Sequence, residues 1–87
     1  MLFMVIERFK TGKTDDVHAR FRASGRMLPP GVTYCDSWIE PSGPTCFQVM
    51  DAPNAEALNP WIARWADLID FEVLPVLPSA EFWEARH

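Results

Sequence analysis

At 87 residues the chain has room for one domain, and at that size only about 60–65% of its surface can be buried on folding. A hydrophobic share of 48% with four tryptophans excludes disorder and exceeds what a lone small core usually holds, so the surplus predicts a second interface, most simply a two-fold homodimer. A net charge of −4 repels phosphate backbones and anionic lipid, which argues against nucleic acid and membrane surfaces as partners.

Leu2-Phe3-Met4-Val5-Ile6-Glu7-Arg8-Phe9 opens the chain as a strand whose six consecutive apolar residues need cover on both faces. It is too short to span a bilayer, has no basic segment before it and no small-residue cleavage site after it, so a cytoplasmic protein is expected. Glu7 and Arg8 are neighbours in a strand, where side chains alternate, so one of the two must face inward. Periodicity does not say which. Thr14, followed by Asp15 and Asp16, suits a helix start, and Val17, Phe21, Ser24 and Leu28 make a narrow apolar stripe with His18, Arg20 and Arg22 off it. Pro29-Pro30-Gly31 ends that helix.

Val32–Glu40 and Thr45–Asp51 read as a hairpin around Pro41-Ser42-Gly43-Pro44. One register sets Trp38 opposite Phe47 and Ser37 opposite Gln48, while a slip of one sets Trp38 opposite Gln48. Either way Cys35 and Cys46 are too far apart to pair, and free thiols fit a reducing compartment. Leu58, Trp61, Ile62, Trp65 and Leu68 mark the strongest helical face in the chain, with Pro60 best placed as the first helical residue, capped by Asn59 after a loose turn, so that the helix starts late or kinks there. Asp70–Leu77 is a fourth strand, put at a sheet edge by Pro75, and Ser79 can cap a short tail helix bearing Phe82 and Trp83.

The order β-α-β-β-α-β is a split βαβ arrangement, which right-handed crossovers fold into an antiparallel α+β sheet of order 4-1-3-2. Both helices then cover one face, and the other is expected to pack on a second copy. Residues 1–87 are read as one domain on this plan.

The opening MLFMVIERF, Gly25-Arg26-Met27-Leu28-Pro29, Asp36-Ser37-Trp38, Cys46-Phe47-Gln48, Trp61-Ile62-Ala63-Arg64-Trp65 and Asp70-Phe71-Glu72-Val73 together resemble a family of small bacterial domains of unknown function. The resemblance spans nearly the whole chain and implies the ferredoxin-like dimeric α+β-barrel superfamily, in which two sheets close back to back. That superfamily includes cofactor-free monooxygenases, haem-degrading enzymes, isomerase-like proteins and ligand-binding stress proteins, so the likeness implies fold and dimer rather than one chemistry.

In the predicted strand order the end of the first strand, at Glu7, adjoins the beginnings of the third and fourth, at Cys46–Gln48 and Glu72, with Trp38 flanking the corner. Two carboxyls there would have separated pKa values and could act as acid and base. The plainer reading pairs Glu7 with Arg26 or Arg64 and leaves Glu72 in solvent. Superfamily relatives hold a ligand between sheet and helices. By that likeness Phe21, Tyr34, Trp38 and Trp65 would supply flat walls, and Glu7, Gln48 and Glu72 would orient polar atoms of a small apolar or aromatic metabolite. The alternatives are a cofactor-free monooxygenase- or isomerase-like enzyme using Glu7 and Glu72, and a non-catalytic interaction dimer. Neither His18 nor His87 has a second ligand at metal spacing and there is no haem-attachment motif, so no metal or cofactor is expected.

Overall fold

The computed structural model describes residues 1–86 and contains β1 (Leu2–Phe9), α1 (Thr14–Ser24), β2 (Thr33–Ile39), β3 (Thr45–Asp51), α2 (Asn59–Trp65), β4 (Ile69–Val76) and α3 (Ser79–Glu84). The four strands form one antiparallel sheet in the order β2-β3-β1-β4, the ferredoxin-like α+β arrangement that the chain order predicts. Interior placement of β1 accounts for its apolar run. Pro75 sits in edge strand β4, opposite Phe3, where a missing N–H can be tolerated.

The alternation along β1 divides the molecule. Phe3, Val5 and Glu7 are buried on one face, whereas Leu2, Met4, Ile6 and Arg8 point to the other. The register carries this division across the sheet. Glu7 is opposite Cys46 on β3 and Phe71 on β4, while Ile6 is opposite Phe47 and Glu72. The core on the Glu7 face joins Phe3, Val5 and Met50 to Leu58, Trp61, Trp65, Leu68 and Ile69.

A helix as short as α2 is marginal by itself, since isolated helices need roughly 12–15 residues. Its stability comes from Trp61 and Trp65, which are almost fully buried. At ~150–250 Å² per indole and ~25 cal/mol per Å², each contributes on the order of 4–6 kcal/mol of apolar burial. Trp61 also meets Phe71 edge-on, with ring centroids 5.4 Å apart. The expected loose turn is a 3-10 turn at Ala55–Leu58, capped by the Asn54 side chain accepting from the Ala57 N–H. Three expected caps are absent: α2 begins at Asn59 itself, α3 begins at Ser79 itself, and Thr14 begins α1 without bonding the backbone through its hydroxyl.

The first helix differs from its predicted stripe. It stops at Ser24, because Gly25 leaves the helix at φ 66° and ψ −157°, so Leu28 lies beyond it. No residue of α1 is buried, Val17 is half-covered and Phe21 remains 41% exposed. The helix therefore stands off the sheet. It is tethered to the end of α2 by Arg20, whose two terminal nitrogens meet Asp67 at 2.8 and 2.7 Å and which also donates to the Arg64 carbonyl. That pairing holds the Asp67 carboxyl low, at about 2.

The hairpin takes the first of its two expected registers, with Trp38 opposite Phe47 and Ser37 opposite Gln48, closed by the Glu40 N–H on the Thr45 carbonyl. A bulge at Cys35 interrupts the ladder between Tyr34 and Asp36. Both cysteines are free thiols.

The Gly25 conformation generates a stability prediction. A Cβ at this position would meet nothing within 4 Å, so the whole cost of Gly25→Ala is backbone strain. A loss of about 1–3 kcal/mol is expected in urea denaturation. An unchanged midpoint would mean that the turn relaxes to another conformation.

Candidate functional site

Because α1 stands off the sheet, a cleft of about 390 Å³ remains between them. Val17 and Phe21 of α1 form one wall, Trp61 and Trp65 of α2 another, and Phe9, Ile39 and Ile69 complete the apolar surround. Glu7, Ser37, Cys46 and Gln48 lie on the floor, contributed by three neighbouring strands, and Arg26 enters from the loop after α1. Thr14, Asp15 and His18 also line it from the first two turns of α1.

Glu7 is the inward member of the Glu7–Arg8 pair, and it is only 8% exposed. Burial pushes its carboxyl up to about 7, against the lowering influences of the Arg26 charge and a hydrogen bond from the Cys46 thiol. The Gln48 amide donates to Glu7 Oε2 at 3.5 Å, and its carbonyl accepts from Arg26 Nε at 3.4 Å. An arginine only donates, so the Gln48 carbonyl must face Arg26, which leaves the amide nitrogen to Glu7. Both contacts are at the long limit of hydrogen bonding, which leaves these groups responsive to a better partner. Burial, together with the nearby Glu7 charge, pushes the Cys46 thiol up to about 11, so it is a neutral donor rather than a nucleophile at ordinary pH.

Arg26 is positioned with unusual care. Its guanidinium carbon lies 3.5 Å from the centre of the Tyr34 ring and 5.1 Å from that of Phe21. Its carbonyl accepts the indole N–H of Trp65 at 3.0 Å, and Arg64 donates to the next carbonyl, that of Met27. Met27 has φ 59°, a left-handed conformation that a side chain adopts only at a cost.

The expected site residues separate into two groups. Glu7, Phe21, Gln48 and Trp65 all line the cleft, and Tyr34 backs it by stacking on Arg26 and bonding the Ser37 hydroxyl at 2.7 Å. Trp38 and Glu72 do not join them. Strict alternation would put Tyr34 and Trp38 on one face, but the Cys35 bulge turns Tyr34 toward the helices and leaves Trp38 on the far face, 56% exposed. Glu72 adjoins Glu7 along the sheet yet pairs with Ile6, so its side chain is also on the far face, where Arg8 holds it at 3.0 Å. The two-glutamate corner is therefore not assembled within one chain. Arg26, considered in the sequence only as a partner for Glu7, is a lining residue, as are His18, Ser37 and Cys46. Ser37 and Cys46 follow from the register once Glu7 faces in, whereas no periodicity points to Arg26 or His18.

Among the described residues no three His, Cys, Asp or Glu side chains are grouped to hold a metal, and no helix is long and apolar enough to cross a membrane. His87 lies outside the described residues. Residues 1–86 match the family model described as Domain of unknown function (DUF3303). The chain belongs to this family. No match to this DUF3303 chain was found among curated proteins or among solved structures.

The buried carboxyl of Glu7 sets a pH dependence. With its folded value near 7 and the ordinary value at 4.5, the stability it confers as a neutral acid is fully present below pH 4.5 and is lost as pH rises through 7. The loss is on the order of 3 kcal/mol. Glu7→Gln should match the parent near pH 4.5 and exceed its stability by about 2–3 kcal/mol at pH 8, measured by urea denaturation at fixed protein concentration. A gap independent of pH would show that the carboxyl is solvated.

Proposed function

We propose that this DUF3303 domain is a cytoplasmic homodimer that binds a small apolar or aromatic metabolite in the cleft between its sheet and helices. The observation that carries the reading is a concave apolar space with a few convergent polar groups above a buried carboxyl, the usual composition of a ligand site. At about 390 Å³ it is toward the small end of the roughly 300–1,000 Å³ range of such sites. A sheet–helix interface packed solid would have favoured a purely structural domain instead.

The dimer reading is supported by the far face of the sheet. It carries Leu2, Met4, Ile6, Trp38, Phe47, Val49 and Leu74, of which Trp38, Phe47 and Leu74 are exposed. A sheet face this rich in apolar side chains, with the Arg8–Glu72 pair at one end, suits a second copy laid across it, as in the dimeric α+β-barrel superfamily that the sequence resembles. Membership of that superfamily and a bacterial origin are part of the same proposal. Native mass spectrometry of protein purified without denaturant should report two chains with a small molecule retained. Phe47→Glu, which buries a charge in the proposed interface, should reduce the solution mass to that of one chain. A parent protein that is monomeric at micromolar concentration would remove the dimer.

A second reading, an enzyme of the cofactor-free monooxygenase or isomerase type, draws support from the Glu7 carboxyl, which titrates near neutrality inside an apolar cleft and is suited to act as a general base. Glu72, on the opposite face, has no part in it. If the protein turns over the molecule it retains, Glu7→Gln should keep the affinity and lose the turnover by roughly 10²–10⁴-fold. Equal turnover by parent and variant would leave binding as the function.

A further inference from the structure

We infer that the cleft selects an apolar monocarboxylic acid, its carboxylate received by the free end of Arg26 and its body lying between Phe21 and the Trp61–Trp65 wall. This rests on the ligand-binding reading above and specifies the head group. Three observations lead to it.

First, the guanidinium is placed but unspent. Its carbon lies over the Tyr34 ring and near Phe21, and Nε is engaged by Gln48, yet neither terminal nitrogen has a hydrogen-bond or ion-pair partner among the described residues. Arg26 forms no salt bridge with Glu7. A planar fork with two free donors matches the two oxygens of a carboxylate.

Second, the loop that carries Arg26 is held in a specific backbone conformation. Met27 has a positive φ at a cost, Gly25 on the other side has one freely, and Trp65 and Arg64 bond the carbonyls of Arg26 and Met27. Such strain is commonly retained where it positions a functional group.

Third, Glu7 limits the charge that the ligand can bring. A singly charged carboxylate next to Glu7 can share one proton with it, as paired carboxyls do, and so be bound by Arg26 and by the acid together. A dianionic phosphate would meet a single arginine and a carboxyl, which compensates it poorly. The charged or titratable groups around Glu7 are Cys46 from β3, Arg26 from the loop, and Asp15 and His18 from α1; the facing residues of β2, α2 and β4 are Ser37, Ile39, Trp61, Trp65 and Ile69, none of which titrates in the ordinary range. Binding of the acid should therefore weaken as Glu7 loses its proton.

The test uses 2-naphthoate, 2-naphthamide and 2-naphthyl phosphate with the whole chain, read by calorimetry and by tryptophan fluorescence quenching. At pH 6 the acid should bind at least about tenfold tighter than both the amide and the phosphate, with the advantage over the amide shrinking toward pH 8. Arg26→Met should erase the advantage, lowering affinity for the acid at least about tenfold more than affinity for the amide; Glu7→Gln should keep the advantage at pH 8. Should Arg26→Met fail to fold by circular dichroism, Arg26→Lys, which keeps the charge but loses the fork, should reduce the preference severalfold. An amide or a phosphate that binds the parent as tightly as the acid would overturn the head-group inference and leave ligand binding standing. Binding of none of the three would overturn both.

Discussion

Two adjacent charges on an interior strand must part company, and most of this molecule follows from how they do. Arg8 turns to the far face and meets Glu72 in solvent, where such a pair is worth ~0–1 kcal/mol. Glu7 turns into the core, where burial raises its carboxyl to about 7 and costs on the order of 3 kcal/mol at neutral pH. Glu7 and Gln48 are the buried polar side chains on the described residues, they bond each other, and both lie on the cleft floor. The fold tolerates this electrostatic cost where the cleft adjoins the core.

That space exists because the helices are unequally attached. Two indoles drive α2 onto the sheet, whereas α1 buries no residue and is held mainly at its flank by Arg20 on Asp67. Trp65 links the two regions. Its ring belongs to the core and to the cleft wall, and its N–H fixes the Arg26 carbonyl on the loop that follows α1. Packing, loop conformation and the electrostatics of the cleft are thus coupled through one side chain.

The sheet's two faces have separate chemistry. One carries the core, the carboxyl and the polar floor; the other carries an apolar surface with Trp38 and Phe47 paired across strands. A single-residue bulge at Cys35 governs this separation on β2. It brings Tyr34 to the side of Ser37 and Arg26 and sends Trp38 to the surface proposed to meet a second copy.

The strand order, the interior place of β1, the edge position of Pro75 and the aromatic face of α2 were all legible in the residues, because they depend on periodicities of 2 and 3.6 and on the connection rules of split βαβ units. So were Glu7, Gln48, Phe21 and Trp65 as candidates for a site under the helices. Which of Glu7 and Arg8 turned inward was not, since alternation defines two faces without saying which one the helices cover. Tyr34 and Trp38 share a face under any unbroken alternation, and only the bulge separates them. Arg26 follows a helix that ends at a glycine, in a loop with no period to read. Its place in the cleft comes from a left-handed Met27 and from an indole and a guanidinium that are 39 and 37 residues away along the chain, contacts that exist only once the chain has folded.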